Sequence, residues 1–427
     1  MMEVDKLFCL HTLFSRHTIF TIKIMNILKV FIIVLVITCS FFIQACATEH
    51  VPEFKKVTLT TSFISEGVCV GDVNHDGQKD VMAGAFWFEA PNWKKHVISN
   101  DDIRYDKSLN VFPKDHVFKV EEGYSNSFLN FSQDVNHDGW VDLIKVGLPG
   151  EAVYWFENPK NKPILWERHF LYASIGNESP LFEDVNGDGL NDIIGNDSKS
   201  KQMIWLEAPR SKQDSTWKAH VISSNPNLGT HKYTHGLGFG DMNGDGRKDI
   251  IIKEGWWECP ADVMASEWTF HPLTLKFDSA HIMVLDLNGD GLVDLLNSSA
   301  HDYGIWWHLR TSIGVETQLI QKDLSQTHAM AMADFNGDMH PDFVVGKRFM
   351  AHNGKDPGEF EKSILRWLEF KPGKSPMWIS HDIDDDSGAG IHIVIEDMNK
   401  DGLEDIVISN KKGVFVFYHY KKKKPLN

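Results

Sequence analysis

With 427 residues and 59 acidic against 43 basic side chains, the chain carries a net charge of −16. That excess excludes nucleic-acid binding, which needs a basic face, and the run Lys421-Lys422-Lys423-Lys424 reads as a solvated tail. Five cysteines, at 9, 39, 46, 69 and 259, are too few and too scattered for a disulfide framework.

Residues 1–24 lack the logic of an export signal and Met25 makes a better start, so 1–24 read as a non-native N-terminal extension. From Met25 the chain passes Lys29 into an apolar run, Val30 to Ile43, and ends on Ile43-Gln44-Ala45-Cys46. A short basic start, an apolar core and small residues before a cleavage point make a signal peptide over 25–45. The ending is similar to a bacterial lipobox, which implies cleavage before Cys46, a lipid on its sulfur, and a lipid-anchored place in the cell envelope on the periplasmic or surface side. The competing reading is a single membrane-spanning anchor, for which the run is barely long enough. Residues 46–53 then form a linker, 54–420 the folded domain and 421–427 the basic tail.

Within 54–420 one nine-residue pattern, D-x-N-x-D-G-x-x-D, is written seven times with one lapse. The oxygen-bearing positions are Asp72, Asn74, Asp76 and Asp80; Asp134, Asn136, Asp138 and Asp142; Asp184, Asn186, Asp188 and Asp192; and Asp241, Asn243, Asp245 and Asp249. They continue as Asp286, Asn288, Asp290 and Asp294; Asp334, Asn336, Asp338 and Asp342; and Asp397, Asn399, Asp401 and Asp405. Successive starts lie 62, 50, 57, 45, 48 and 63 residues apart, a period typical of propeller blades and solenoid repeats. Hard oxygens at positions 1, 3, 5 and 9, with a glycine at 6 for the sharp turn, are spaced to wrap calcium. Asp, Asn and Gly favour turns without any metal, but that accounts poorly for seven matching loops. Up to seven structural Ca²⁺ ions are therefore expected. In the sixth copy Met339 stands where the others have glycine, and a side chain in the left-handed region costs about 1–2 kcal/mol; a weaker or empty site is expected there.

The grammar of a repeat is clearest in the fourth. A strand over 236–240 enters the loop, a β-branched strand over 249–253 leaves it, and strands over 255–259 and 267–273 follow. Four short antiparallel strands per repeat make a propeller blade. The fourth strand carries Trp-x-x-His at Trp93/His96, Trp166/His169, Trp217/His220, Trp268/His271 and Trp378/His381. Because these histidines recur at one structural position, they read as packing residues rather than as an active site. The last repeat stops after its third strand, while Phe54-Lys-Lys-Val-Thr-Leu59 matches Trp93-Lys-Lys-His-Val-Ile98 in pattern. The fold class expected is all-β: a seven-bladed β-propeller with calcium loops between first and second strands of each blade, closed by an N-terminal outer strand.

These loops and blades resemble the FG-GAP/VCBS repeat family, found also in integrin α chains, over residues from about 54 to 420. The resemblance implies the fold and calcium but no particular function, since such propellers host enzymes, adhesins and scaffolds.

If repetition marks structure, function belongs where the repeats disagree. The residue six before each first Asp lies about 20 Å from the calcium loop at about 3.3 Å per residue, near the opposite mouth of the channel, and reads Glu66, Phe128, Glu178, His235, Ala280, His328, Ile391 around the ring. Nearby stand His281 and His392 one place further on, Asn126 and Asn130, and the mouth loops with His231, Lys232, Tyr233, Lys253, His301, Asp302, Tyr303, Lys347 and Arg348. Imidazoles and carboxylates suit a second divalent metal at the mouth or acid–base work on a polyhydroxylated substrate; a polar, water-filled channel without chemistry is the bland alternative. Among third-strand tryptophans, the doubled Trp256-Trp257 and Trp306-Trp307 must each turn one ring away from the buried side, and the second rings are the candidates for sugar contact. No G-x-S-x-G, P-loop, G-x-G-x-x-G after a strand, or H-E-x-x-H is present.

The run from Ser174 to Asp184, Thr234 to Asp241 with Gly255-Trp-Trp257, and Gln326-Thr-His-Ala329 through Gly346-Lys-Arg348 resemble bacterial secreted propellers similar to the N-terminal propeller of the aldos-2-ulose dehydratase family. That resemblance implies a carbon–oxygen lyase acting on a small sugar or glycan. His235, His328, Glu66 and Glu178 would then be metal ligands or acid–base groups, and Lys253, Lys347 or Arg348 would stabilise enolate charge. Asn126, Tyr233, Trp257, His281, His301, Tyr303 and His392 are the substrate-binding candidates. The main rival is a non-catalytic envelope propeller that binds glycan or protein; a pectin-type lyase is a third reading, against which eight blades rather than seven count.

Overall fold

Each Asp-rich loop joins two short antiparallel strands, because Asp and Asn side chains fold back on their own backbone and glycine accepts the left-handed turn. In the fourth copy Gly238–Gly240 leads in and Asp249–Ile252 leads out, with Gly240 opposite Asp249. Gly255–Glu258 and Thr269–Pro272 follow, and the four strands pair in chain order. The computed structural model describes residues 51–100, 104–105, 123–212, 215–352, 354–373 and 376–422, and the fold lies in the unit Pro52–Lys421. Cys46, the leader and most of the basic tail lie outside the described residues.

The same four-strand plan recurs along the chain. Five sheets have four antiparallel strands, and a seven-stranded sheet joins two such groups through one long shared strand, Glu167–Glu183. The first half of that strand pairs with Glu151–Glu157, and its second half pairs with Asp192–Asp197. A two-stranded ladder, Arg104–Tyr105 with Tyr124–Ser125, stands apart. No helix occurs among the described residues. The N-terminal strand Val51–Thr60 takes the outer place in the last sheet, beside Gly413–Lys422.

The core lies between neighbouring sheets, which explains why second strands such as Asp249–Ile252 and Asp405–Asn410 are buried at every position. Met203, Trp205 and Ile194 of one sheet pack with Leu237, Ile250, Ile252 and Trp257 of the next. Each such fully buried aliphatic or aromatic side chain contributes about 1.5–3 kcal/mol. Both described cysteines, Cys69 and Cys259, are buried and free; burial pushes their thiols up, Cys259 to about 11.

The recurring histidines are packing residues. Each stacks on the third-strand tryptophan opposite it: Trp87 on His96 and Trp256 on His271 at 4.2 Å, and Trp155 on His169, Trp205 on His220 and Trp367 on His381 at 4.3 Å. A glutamate two places after that tryptophan reaches the same imidazole, as Glu258 does His271 at 2.7 Å. The doubled tryptophans correct one expectation. Trp257 and Trp307, the second rings, are 0% and 1% exposed in the core, so Trp257 cannot contact a substrate. Alternation along the strand turns the first ring the other way, where Trp256 is covered by His271 and Trp306 by Phe277 at 4.1 Å.

Candidate functional site

The seven loops share one hydrogen-bond plan. In the fourth, Asp241 accepts from the backbone N–H of Asp245 at 3.2 Å and of Gly246 at 2.7 Å, Asn243 from Asp245 at 3.1 Å, and Asp245 from Arg247 at 2.9 Å. These bonds wind the loop so that carboxylate and amide oxygens gather within it, a donor set that fits a hard cation such as calcium. The ninth residue does something more. Asp249 is buried and accepts from Met242 N–H and Cys259 N–H, both at 2.8 Å, so it anchors the second strand whatever metal role it adds. Met339 takes the loop's left-handed conformation at φ 67°, where Gly246 has φ 85°.

At the other end of the first strands the chain changes character. Glu178 lies on the long strand Glu167–Glu183, just after Asn177 at φ 75°; His328 lies on Thr327–Ala333, just after Gln326 at φ 53°. Two non-glycine residues held in the left-handed region beside one site mark a place where backbone strain is retained. Glu66 and His235 come from the connections before Cys69–Gly71 and Gly238–Gly240, and Arg348 directly follows Asp342–Lys347.

These residues converge. Ligand atoms of Glu178, His235 and His328 all lie within 4.8 Å of one another. Arg348 Nε is 3.2 Å from Glu66 Oε2, and Arg348 Nη1 is 3.6 Å from Glu178 Oε2, which is itself 3.5 Å from His235 Nε2. Burial would raise the Glu178 carboxyl, but His235 and Arg348 outweigh it and hold it at about 2. His328 is pushed far down by burial and then by the Arg348 charge, so its ring is neutral. Its Nδ1 is 3.1 Å from the Gln326 carbonyl oxygen, while its Nε2 is buried without a hydrogen-bond partner, as is His235 Nε2.

A cavity of about 430 Å³ opens over this cluster, lined by Tyr124, Phe128, Glu178, Tyr233, His235, His301, His352 and Lys355 with Leu148 and Pro149. A smaller lobe of about 280 Å³ shares Tyr233, His235 and His301 and reaches Lys253. Of the residues picked out from sequence, Glu66, Glu178, His235, His328, Arg348, Tyr233 and His301 are thus brought together. Asn126 sits half-buried between Tyr124 and Phe128 in the chain.

Others are placed elsewhere. Lys347 is buried, and its ammonium is given to the Gly358 carbonyl, so it tethers a loop instead of facing substrate. Tyr303 donates to Glu361 Oε1 at 2.7 Å, and Lys253 lies 3.6 Å from Asp278 at the rim of the smaller lobe. His281 and His392 belong to a second cavity of about 440 Å³ among Leu129, Phe131, Leu237, Met283 and Met330, where strands of five sheets meet. One residue's step along a strand turns a side chain to another face, which separates these two from the mouth.

Three residues of the mouth were missed from sequence: Tyr124, His352 and Asp356. His301 Nδ1 and His352 Nδ1 lie 3.0 and 2.5 Å from the same oxygen, Asp356 Oδ2. The signal was there in the spacing of the repeats. The three longest, 62, 57 and 63 residues, contain the connections that carry Tyr124, then Tyr233 and His235, then His352 and Asp356.

The strand–loop–strand units are FG-GAP-like repeats, a family whose pattern matches residues 134–195, 184–252 and 286–345. The molecule is an FG-GAP-repeat β-propeller. Among solved structures it is similar to BBS1N in complex with ARL6DN, at 9% identity over 88% of this chain and 98% of that one, with a TM-score of 0.49. It is similar also to the extracellular domain of BT3049 from B. thetaiotaomicron, at 11% identity over 86% of this chain and 41% of that one, with a TM-score of 0.48. A third similarity is to the V. cholerae biofilm matrix protein Bap1, at 11% identity over 87% and 89%, with a TM-score of 0.39. No curated protein matches the chain.

Proposed function

We propose that this chain is an exported, calcium-stabilised propeller of seven blades, lipid-anchored at Cys46 in the cell envelope, that eliminates water or a glycosidic oxygen from a keto-sugar or keto-glycoside at its mouth. Seven Asp-rich loops and the pairing of the N-terminal strand into the last sheet support the blade count. The observation that carries the reaction is the pair of unpartnered imidazole nitrogens, His235 Nε2 and His328 Nε2, facing the ionised Glu178 under a sugar-sized cavity. Two imidazoles and a carboxylate are a donor set for a divalent transition metal.

Such an ion supplies Lewis acidity toward a carbonyl oxygen. The chain's own groups do the rest. Arg348 neutralises one of the two buried carboxylates, and Tyr124, Phe128 and Tyr233 offer ring faces to a sugar. Tyr233, on the wall common to both lobes, is placed to exchange a proton with the substrate. The C–H bond α to the carbonyl would break with its proton passing to a basic group at the mouth, its electron pair would become the C=C bond, and the β C–O bond would break with its electron pair on the oxygen, which takes a proton from Tyr233; the proton held by the base then restores Tyr233. No oxidant is needed.

Incubation with 3-keto-glycosides and 2-keto-sugars, followed by enone absorbance, tests this. Wild type should turn over one class, and His328→Ala should lose at least about 100-fold, as removal of an electrostatic stabiliser does. Absence of turnover on both classes removes the lyase reading and leaves glycan binding, which the aromatic lining of the cavity favours on its own.

A further inference from the structure

The mouth does not end at the cavity over Glu178. That cavity shares Tyr233, His235 and His301 with the smaller lobe of about 280 Å³, and the lobe shares Lys253, Glu254 and Asp278 with a further cavity of about 480 Å³ at the rim. Three compartments therefore follow one another outward from the buried carboxylate.

Each outer compartment carries a group that the fold leaves unused. Asn177 lines the smaller lobe and is 2% exposed; its Oδ1 accepts from Ser179 N–H at 2.7 Å, which fixes the other end of the amide as the donor. That donor, Nδ2, is buried without a hydrogen-bond partner among the described residues. A buried donor left unmet costs about 1–3 kcal/mol, and this one directly precedes Glu178 in the chain. At the rim, Phe277 holds φ 72°, which is rare for a bulky residue. It lies flat on Trp306, with planes 12° apart, yet is 54% exposed. One ring face is covered, so the exposed area belongs to the edge and the other face. A fixed aromatic face next to a buried, unmet donor is the equipment of a sugar pocket.

Charge narrows the ligand. Glu254, Asp278 and Asp302 line the rim cavity against one ammonium, Lys253, which lies 3.6 Å from Asp278. Three carboxylates to one cation repel an acidic sugar.

We infer that the smaller lobe and the rim cavity form a second sugar subsite, which takes a neutral glycosyl unit as the leaving group. The substrate is then a neutral keto-disaccharide or longer keto-glycan, not a free keto-sugar. The inference rests on the sugar-elimination reading above and chooses between its two leaving groups: the glycosidic oxygen departs as a hydroxyl of the second sugar. Asn177 Nδ2 donates to that unit, and Phe277 carries its apolar face.

The test uses the full folded chain in calcium. Calorimetry with neutral disaccharides built on glucose, galactose and mannose, each against the methyl glycoside of its first sugar, reads the subsite without chemistry. The 3-keto forms of the same compounds, followed by enone absorbance, read it in turnover. One disaccharide should bind at least about 10-fold more tightly than its methyl glycoside, and more tightly than the same compound with a uronate as second ring. Asn177→Asp keeps the Ser179 bond and replaces the donor by an acceptor; Phe277→Gly suits the left-handed backbone and removes the ring. Each should cut the preference at least about 5-fold. Phe170→Ala, which removes another exposed aromatic, opposite Tyr154 in a different blade, should leave it intact. Circular dichroism checks the fold of each variant. No disaccharide preferred over its methyl glycoside, a uronate bound more tightly than the neutral ring, or wild-type preference in both site variants would overturn the second subsite. Preference in binding with no enone from any keto compound removes the lyase reading alone; turnover of methyl 3-keto-glycosides and 3-keto-disaccharides at equal kcat/KM removes this inference alone.

Discussion

Arg348 and Glu66 stand 282 positions apart, yet the guanidinium Nε lies 3.2 Å from the Glu66 carboxylate, and both side chains are at most 1% exposed. Removing one partner of such a pair strands a buried charge. Arg348→Met should cost about 3–5 kcal/mol in urea unfolding of the metal-free protein. Arg348→Met with Glu66→Gln should recover part of that loss. A single-variant loss below about 1 kcal/mol would show that the pair is solvated after all.

Met339 occupies the left-handed position that glycine fills in the other six loops. Met339→Gly relieves about 1–2 kcal/mol of backbone strain, against about 0.5–1 kcal/mol of added freedom in the unfolded chain. A net gain of about 0.5–1 kcal/mol in calcium is expected, together with tighter calcium binding at that loop. Equilibrium unfolding with and without calcium reads both; unchanged or lower stability would count against the strain.

The outer strand Val51–Thr60 is held by Lys56 to Asp384 at 2.8 Å, by Tyr420 to Glu53 at 2.6 Å, and by Phe54 packed edge-on to Phe335 with ring centres 5.1 Å apart. Deleting residues 47–60 should lower the melting temperature, and Phe54→Ala alone should cost about 2 kcal/mol, less than a fully buried Phe because Phe54 is half-buried. An unchanged melting temperature in the deletion would refute the closure.

Burial, and then the neighbouring His392, push His281 down to about 4, against an ordinary value near 6.5. Its folded state prefers the neutral ring. Stability from this group is therefore complete above about pH 6.5, falls as pH drops toward 4 because the unfolded chain takes the proton first, and levels off below. The whole drop is about 3 kcal/mol. The difference in unfolding free energy between wild type and His281→Asn, measured from pH 7.5 to 4, isolates it; a flat difference would mean the ring is solvated.

Strand pairs, loops and packing histidines could be read in advance because they repeat, and a repeat exposes its own rule. Glu66, Glu178, His235 and His328 were legible because they break that rule at one fixed offset from Asp72, Asp184, Asp241 and Asp334. Trp257 was misread because alternation says that two neighbours face opposite ways without saying which face is the core. Lys347 and Arg348 are adjacent, yet one tethers Gly358 and the other faces Glu66; residue type alone does not separate them. His352 and Asp356 escaped because they lie in an insertion that no other repeat shares, so nothing aligned with them.

The pairing of Val51–Thr60 with Gly413–Lys422 also has a kinetic meaning. Of the described strands the first to be synthesised waits for the last, so its hydrogen-bonding edge stays open until Gly413–Lys422 has been made. Non-local pairing of this kind is slow and exposed to aggregation. If the chain is exported as proposed, late closure would also keep the nascent polypeptide loose enough to be threaded through a narrow channel before it can seal.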